Sequence, residues 1–183
     1  SGFAHLRKRN FDESVFAFEQ AKKITVSNPP LIADINSMLG DAYNALKQYE
    51  KSDQAYEASL AINPDNDVVR NNYSYYLSLR RENLEKAEKM ASELIKDHPD
   101  NPTYLDTYAW VLYAREKYKE ARKIIERAIG TGKANATHFE HYGDILFKLG
   151  DVEGAVAQWE KARGSNANNE TLNKKIANRQ IYE

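Results

Sequence analysis

The stretch Leu39-Gly40-Asp41-Ala42-Tyr43 returns as Tyr73-Ser74-Tyr75-Tyr76-Leu77, as Tyr108-Ala109-Trp110-Val111-Leu112 and as Tyr142-Gly143-Asp144-Ile145-Leu146. Its small second residues, Gly40, Ser74, Ala109 and Gly143, stand 34, 35 and 34 apart. Twelve or thirteen residues after each comes another small residue, Ser52, Ala87, Ala121 or Ala155, followed four later by Tyr56, Ala91, Ile125 or Trp159. Ser59, Leu94, Ala128 and Ala162 close the pattern. A fixed period of this length marks an array of stacked supersecondary units.

Helix-pair packing explains the columns. Residues at i, i+3, i+4 and i+7 form one apolar stripe per helix, and a Gly, Ala or Ser where two helices cross admits close approach. A recurring turn joins each pair: Asn10-Phe11-Asp12-Glu13-Ser14, Gln48-Tyr49-Glu50-Lys51-Ser52, Lys117-Tyr118-Lys119-Glu120-Ala121 and Asp151-Val152-Glu153-Gly154-Ala155. The second residue of each plugs the bend. Asn63-Pro64-Asp65 and His98-Pro99-Asp100 stop the second helices, since Pro cannot continue a helix, and the next helix starts from the Asp or Asn behind. One extra residue is expected in Arg80-Arg81-Glu82-Asn83. Gly2 and Ser14 precede Gly40 and Ser52 by 38, so four extra residues are expected in the Ser27-Asn28-Pro29-Pro30 loop.

These columns resemble the tetratricopeptide-repeat (TPR) family, whose pattern runs aromatic, Leu-Gly, Tyr, Ala, aromatic and Pro over 34 residues. The strings Asn72-Tyr73-Ser74-Tyr75-Tyr76-Leu77 and Asp106-Thr107-Tyr108-Ala109-Trp110-Val111-Leu112 are most similar to bacterial members. The leading Trp of the family pattern is absent, and Pro is replaced around Lys133 and Ala167. The resemblance implies an all-α, right-handed α-solenoid of helix-turn-helix pairs. It divides 1–183 as one array: a truncated first repeat over 1–30, repeats at 31–66, 67–101, 102–135 and 136–169, and a capping helix over 170–183. Leu172 and Ile176, at helical spacing among Lys174, Lys175 and Arg179, suit a polar cap.

Composition narrows the function. Lys+Arg is 26 against 27 Asp+Glu in 183 residues, a formal charge of −1, which disfavours nucleic acid because phosphate binding needs excess cations. The absence of Cys removes disulfides, thiolate nucleophiles and Cys-ligated zinc. No run approaches the roughly 18 apolar residues of a membrane span. The opening Ser1-Gly2, without Met, is expected to be a boundary of a longer chain, so the compartment is either cytoplasmic or, with a targeting segment removed, periplasmic and envelope-associated.

Catalytic motifs are missing, and the reading is of a non-enzyme without cofactor or metal. His138 and His141, three apart with Glu140 and Asp144 nearby, fit a solvated pair at a helix start better than a metal site. His5 and His98 are isolated. Gly130-Thr131-Gly132-Lys133 lacks the spacing and preceding strand of a phosphate loop and reads as a helix stop. The triplets beginning at Asn72, Asn135 and Asn169 match a glycosylation acceptor but receive no role.

In the family the resemblance points to, the first helices line a groove that binds extended peptides. The positions carried over are Ser37, Asn71, Asp106 and Glu140; Asp41, Tyr75, Trp110 and Asp144; and Asn44, Ser78, Tyr113 and Phe147. Each set of three lies at i, i+4 and i+7 on one helix face. Four carboxylates without Lys or Arg would repel a terminal carboxylate, so a chaperone-tail adaptor is disfavoured. A neutral or basic protein or peptide with apolar side chains is expected, anchored by Trp110, Tyr113 and Phe147 and steered by the acids. Trp110 and Tyr113 fit packing between repeats as well as binding, and Asp41 and Asp144 fit an ordinary solvated face. Tyr73, Tyr108, Tyr142, Tyr56 and Trp159 read as filler. The alternative function is self-association, or an envelope-assembly module, through an exposed N-terminal helix face of Phe11, Val15, Phe16 and Phe18.

Overall fold

The computed structural model describes residues 2–25, 27–164 and 168–182, with side chains from Arg7 onward. His5 and Ala167, named above, lie outside the described side chains. Among the described residues the chain is all-α. Its helices are α1 (Gly2–Ile24), α2 (Pro29–Ala45), α3 (Tyr49–Ile62), α4 (Asp67–Arg80), α5 (Leu84–Asp97), α6 (Pro102–Ala114), α7 (Tyr118–Gly130), α8 (Ala136–Lys148), α9 (Val152–Arg163) and α10 (Glu170–Asn178). The first column of small residues falls on α2, α4, α6 and α8, and the second on α3, α5, α7 and α9.

One residue type starts every helix that opens a pair. The side-chain oxygens of Asn28, Asn66, Asn101, Asn135 and Asn169 accept the backbone N–H groups of Leu31, Val69, Tyr104, His138 and Leu172. Each cap satisfies a donor that the first turn cannot. Asn135 and Asn169, two of the glycosylation-like triplets, are therefore helix starts.

The opposite ends share a different device. Lys47, Arg81, Glu116 and Gly150, spaced 34, 35 and 34, adopt positive φ of 60°, 55°, 61° and 87°. The N–H after each reaches back five residues, Gln48 to Tyr43, Glu82 to Leu77, Lys117 to Leu112 and Asp151 to Leu146, at 2.9, 3.1, 2.9 and 3.0 Å. This is the Schellman closure, which glycine suits best because a Cβ is disfavoured in the left-handed region. Glu116→Gly is expected to stabilise the chain by about 1 kcal/mol and Gly150→Ala to destabilise it by about as much. Urea melts of the two variants check the opposite signs.

The expected extra residue near Arg80 is present. Between the left-handed residue and the next helix stand Glu82 and Asn83, whereas Gln48, Lys117 or Asp151 stands alone at the other turns.

Two expectations are corrected. The four extra residues do not lengthen the loop after α1. Four residues separate α1 from α2, α3 from α4 and α5 from α6 alike, but α2 has 17 residues where α4, α6 and α8 have 14, 13 and 13. Four residues make about one helical turn, so α2 gains length at its start while its buried face keeps its direction. The turn expected at Asn10–Ser14 is absent, because α1 runs through it. Residues 3–24 contain neither Gly nor Pro. The helix is continued by an Arg9–Glu13 pair at 3.0 Å and by the Ser14 hydroxyl donating to the Asn10 carbonyl at 2.8 Å, the i,i+4 spacing that supports helices.

Two compact units divide the chain, residues 1–76 and 77–183. In the first, α2 packs between α1 and α3. Val15, Phe18 and Ala21 cover Ile35, Leu39 and Tyr43 of α2 and Ala55 of α3. Two members of the expected exposed face, Val15 and Phe18, therefore point inward, while Phe16 is 67% exposed. In the second unit α5 to α10 each pack on the next. Leu105, Ala109, Leu112, Ile125 and Ile145 form one core cluster, and Leu146, Trp159, Ala162 and Leu172 another. Leu172 seats α10 on that second cluster, as a capping helix requires.

Candidate functional site: the faces of the first helices

Large residues of α3 and α9 fill the space left by glycines of α2 and α8. A Cβ added to Gly40 would stand 2.4 Å from the Tyr56 ring, and one on Gly143 would stand 2.4 Å from Trp159. Where the first helix carries Ala109, the second carries the smaller Ile125 in the same cluster. The glycines thus make room for rings, and Tyr56 and Trp159 are fully buried.

Each ring also presents a polar tip to the residue after its glycine. The Tyr56 hydroxyl donates to the Asp41 carboxylate, and the Trp159 indole N–H donates to Asp144 at 3.0 Å. Burial raises the Tyr56 hydroxyl far above the ordinary tyrosine range, and its bond to Asp41 adds to the effect. Asp41 also accepts the Asn72 amide at 3.3 Å.

The other carboxylates are held from one period away. His141 Nδ1 lies 2.8 and 3.0 Å from the two oxygens of Asp106. The Lys175 ammonium, on α10, donates to Asp144 at 2.9 and 3.0 Å and to Glu140 at 2.8 Å. Lys175 is only 5% exposed and Asp144 7%. Burial pushes the Asp144 carboxyl above the usual aspartate range, against the pull of Lys175 and Trp159. For Lys175 burial acts downward, but the charge of Asp144 and the bonds to both acids outweigh it and raise the ammonium.

The aromatic residues form a stack. Trp110 lies parallel to Tyr113, centroids 4.3 Å apart, and its indole stacks with the His141 ring at 3.9 Å. Tyr113 is buried and turns an edge contact to Tyr118 at 5.4 Å, while Trp110 is half-buried. Phe147 packs against Trp159, at 6.0 Å, in the neighbouring cluster. In the first unit, Tyr75 tilts against Tyr76 at 6.0 Å and the Asn71 amide meets Asn72 at 3.3 Å. Asn44 supplies its carbonyl to the turn at Lys47, 2.9 Å away.

A cavity of about 270 Å³ opens beside the stack in the second unit. Trp110, Tyr113 and Asp144 line it together with Leu79, Ile181 and Tyr182. Leu79 and Tyr182 are 53% and 44% exposed. The structure thus brings Asp106, Trp110, Tyr113, Glu140 and Asp144 into one connected network.

His138 and His141 are corrected from a solvated pair to a buried one. The His138 ring accepts the Asn135 N–H at 2.8 Å and lies 3.1 Å from the Pro102 carbonyl, so it caps α8, and His141 serves the stack. Among the described residues no group of three or more His, Asp or Glu is placed to hold a metal. No described helix is long and apolar enough to cross a membrane.

Comparison with known proteins places these columns. The tetratricopeptide-repeat model matches residues 33–66, and a model of anaphase-promoting complex (cyclosome) subunit 3 matches 80–162. A TPR repeat-containing protein of Pseudomonas aeruginosa is 30% identical over 93 residues, 51% of this chain. The chain spans only 15% of that relative's length. Among solved structures, PilW, a type IV pilus biogenesis factor, aligns with a TM-score of 0.79 at 17% identity, covering 98% of this chain and 83% of its own. A tetratricopeptide repeat protein from Parabacteroides merdae aligns with a TM-score of 0.71 at 19% identity, covering 93% and 66%. Both model matches fall where the small and large columns alternate, and the chain is a tetratricopeptide-repeat protein with an all-α solenoid fold.

Proposed function

We propose that this chain is a non-catalytic scaffold that binds a partner segment along the faces of its first helices. Tetratricopeptide repeats generally mediate protein–protein interaction. The observation that supports a groove ligand is the Tyr113–Trp110–His141 stack, with its half-buried indole at the mouth of a cavity beside exposed Leu79 and Tyr182. Stacked rings offer a rigid apolar platform that loses little entropy on binding, and such aromatics dominate interface energies.

The carboxylates contribute differently from the aromatics. Asp106, Glu140 and Asp144 already have internal cationic or imidazole partners, so their charge is largely spent within the fold. The reading is therefore of a neutral or weakly basic segment whose apolar side chain enters the cavity, with affinity carried by apolar contact and little altered by salt.

Selection of a random peptide library against the wild-type chain tests this. Bound peptides should carry apolar residues and lose at least about tenfold in affinity for Trp110→Ala, since anchors of this kind are worth about 2 kcal/mol. Leu79→Lys, at an exposed position, should weaken them without loss of fold. Peptides that bind wild type and both variants equally would sink the proposal.

A further inference from the structure

A second cleft lies in the first unit and shares no residue with the groove positions except through the helix that carries them. Arg7, Lys8 and Phe11 of α1 face Ala45, Leu46 and Lys47 at the end of α2, around a cavity of about 670 Å³. Its floor is apolar, with half-buried Phe11 and Leu46, and its rim carries three exposed cations. The ion pairs of the neighbourhood involve other residues: Arg9 takes Glu13, and Lys22 takes Glu19. Among the described residues no carboxylate lines the cleft.

We propose that this cleft is a docking site for an acidic peptide segment bearing an apolar side chain. Charge complementarity selects the occupant: three cations of one sign converge on an apolar recess in a chain whose formal charge is −1. The backbone of Lys47 is fixed, because it is the left-handed residue closing the α2 turn, with φ of 60° and its N–H bonded to the Asn44 carbonyl. The negative end of α2 accounts for a cation at Lys47, but not for Arg7 and Lys8 on the facing helix. A nucleic-acid backbone would use the cations and leave Phe11 without a partner. A lipid surface is met by a protruding apolar face with four or more basic residues, whereas here the apolar surface is recessed. An acidic segment with one Leu or Phe satisfies both halves, with the carboxylates on the rim and the side chain against Phe11.

The test is titration of the purified chain with fluorescein-labelled acetyl-Glu-Asp-Leu-Phe-Glu-Asp-amide and with its Gln/Asn counterpart. Binding of the acidic peptide should weaken with added salt and fall at least about tenfold in Arg7→Glu/Lys47→Glu, both exposed positions whose exchange should leave the circular dichroism spectrum unchanged. Trp110→Ala should leave it unaltered, which separates this cleft from the groove. Equal binding of the two peptides, indifference to the charge reversal, or no binding at about 1 mM peptide would overturn the proposal. So would capture by phosphatidylserine vesicles without binding of the peptide.

Discussion

Trp159→Ala is expected to destabilise the chain by about 3–5 kcal/mol, the range for truncating a fully buried indole. Its side chain is completely buried over Gly143, which has no atoms to move into the vacated space, and Asp144 loses the 3.0 Å bond from the indole N–H. A paired variant separates this steric account from simple burial. On helix propensity alone, Gly143→Ala would gain about 1 kcal/mol. In the wild-type chain its Cβ would stand 2.4 Å from the ring and 3.0 Å from the Ala155 carbonyl, so a loss is expected instead, of about 1–3 kcal/mol. In a Trp159→Leu background the ring contact is gone and the loss should shrink to what the Ala155 carbonyl alone imposes. Urea melts read all four chains, and a Gly143→Ala that stabilises the wild type would refute the ring-over-glycine arrangement. Tyr56 and Gly40 form the same arrangement in the first unit.

The fold was legible because small and large residues keep one period, and steric complementarity writes that period directly into side-chain size. The helix ends were less legible. The left-handed turn residues are Lys47, Arg81 and Glu116, with glycine only at 150, so residue identity conceals a backbone conformation that spacing alone reveals. The Asn residues at 28, 66, 101, 135 and 169 are visible in the sequence, but Asn suits turns and acceptor triplets as well as helix starts, and only their bonds to the first-turn N–H groups identify them as caps. Four added residues looked like a loop insertion because a full helical turn leaves the stripe of α2 in phase.

The candidate site was half legible. Helical spacing placed Asp106 with Trp110, and Glu140 with Asp144, on a shared helix face, but face arguments treat one helix at a time. Their partners lie in the next unit of the array: His141 stands 35 residues from Asp106, and Lys175 stands 31 from Asp144 and 35 from Glu140. One signal could have found Lys175. It shares the stripe of Leu172 and Ile176 on α10, where a lysine has no reason to sit unless an acid awaits it.

That lysine yields the second large effect. Lys175→Met should cost about 3–5 kcal/mol, because it strands the buried Asp144 carboxylate without a cation. Removing the acid as well should recover most of the loss: in Lys175→Met/Asp144→Asn neither member of the buried pair carries a charge, and the amide oxygen can still accept the Trp159 N–H. The pH dependence carries an independent sign. Burial raises the Asp144 pKa even with Lys175 present, and without the ammonium the carboxyl rises further. A carboxyl that holds its proton more tightly folded than unfolded loses stability as pH rises. The deficit of Lys175→Met should therefore be fullest at neutral pH and shrink on acidification, because the Asp144 carboxyl, raised further in the variant than in the wild type, gains more stability there from taking up its proton. The double variant has no such group and should show no shrinkage. A deficit that is independent of pH, or undiminished by Asp144→Asn, would mean that Lys175 serves α10 through its ammonium over the Trp159 ring, 5.9 Å from the ring centre, and that the ion pair with Asp144 adds nothing.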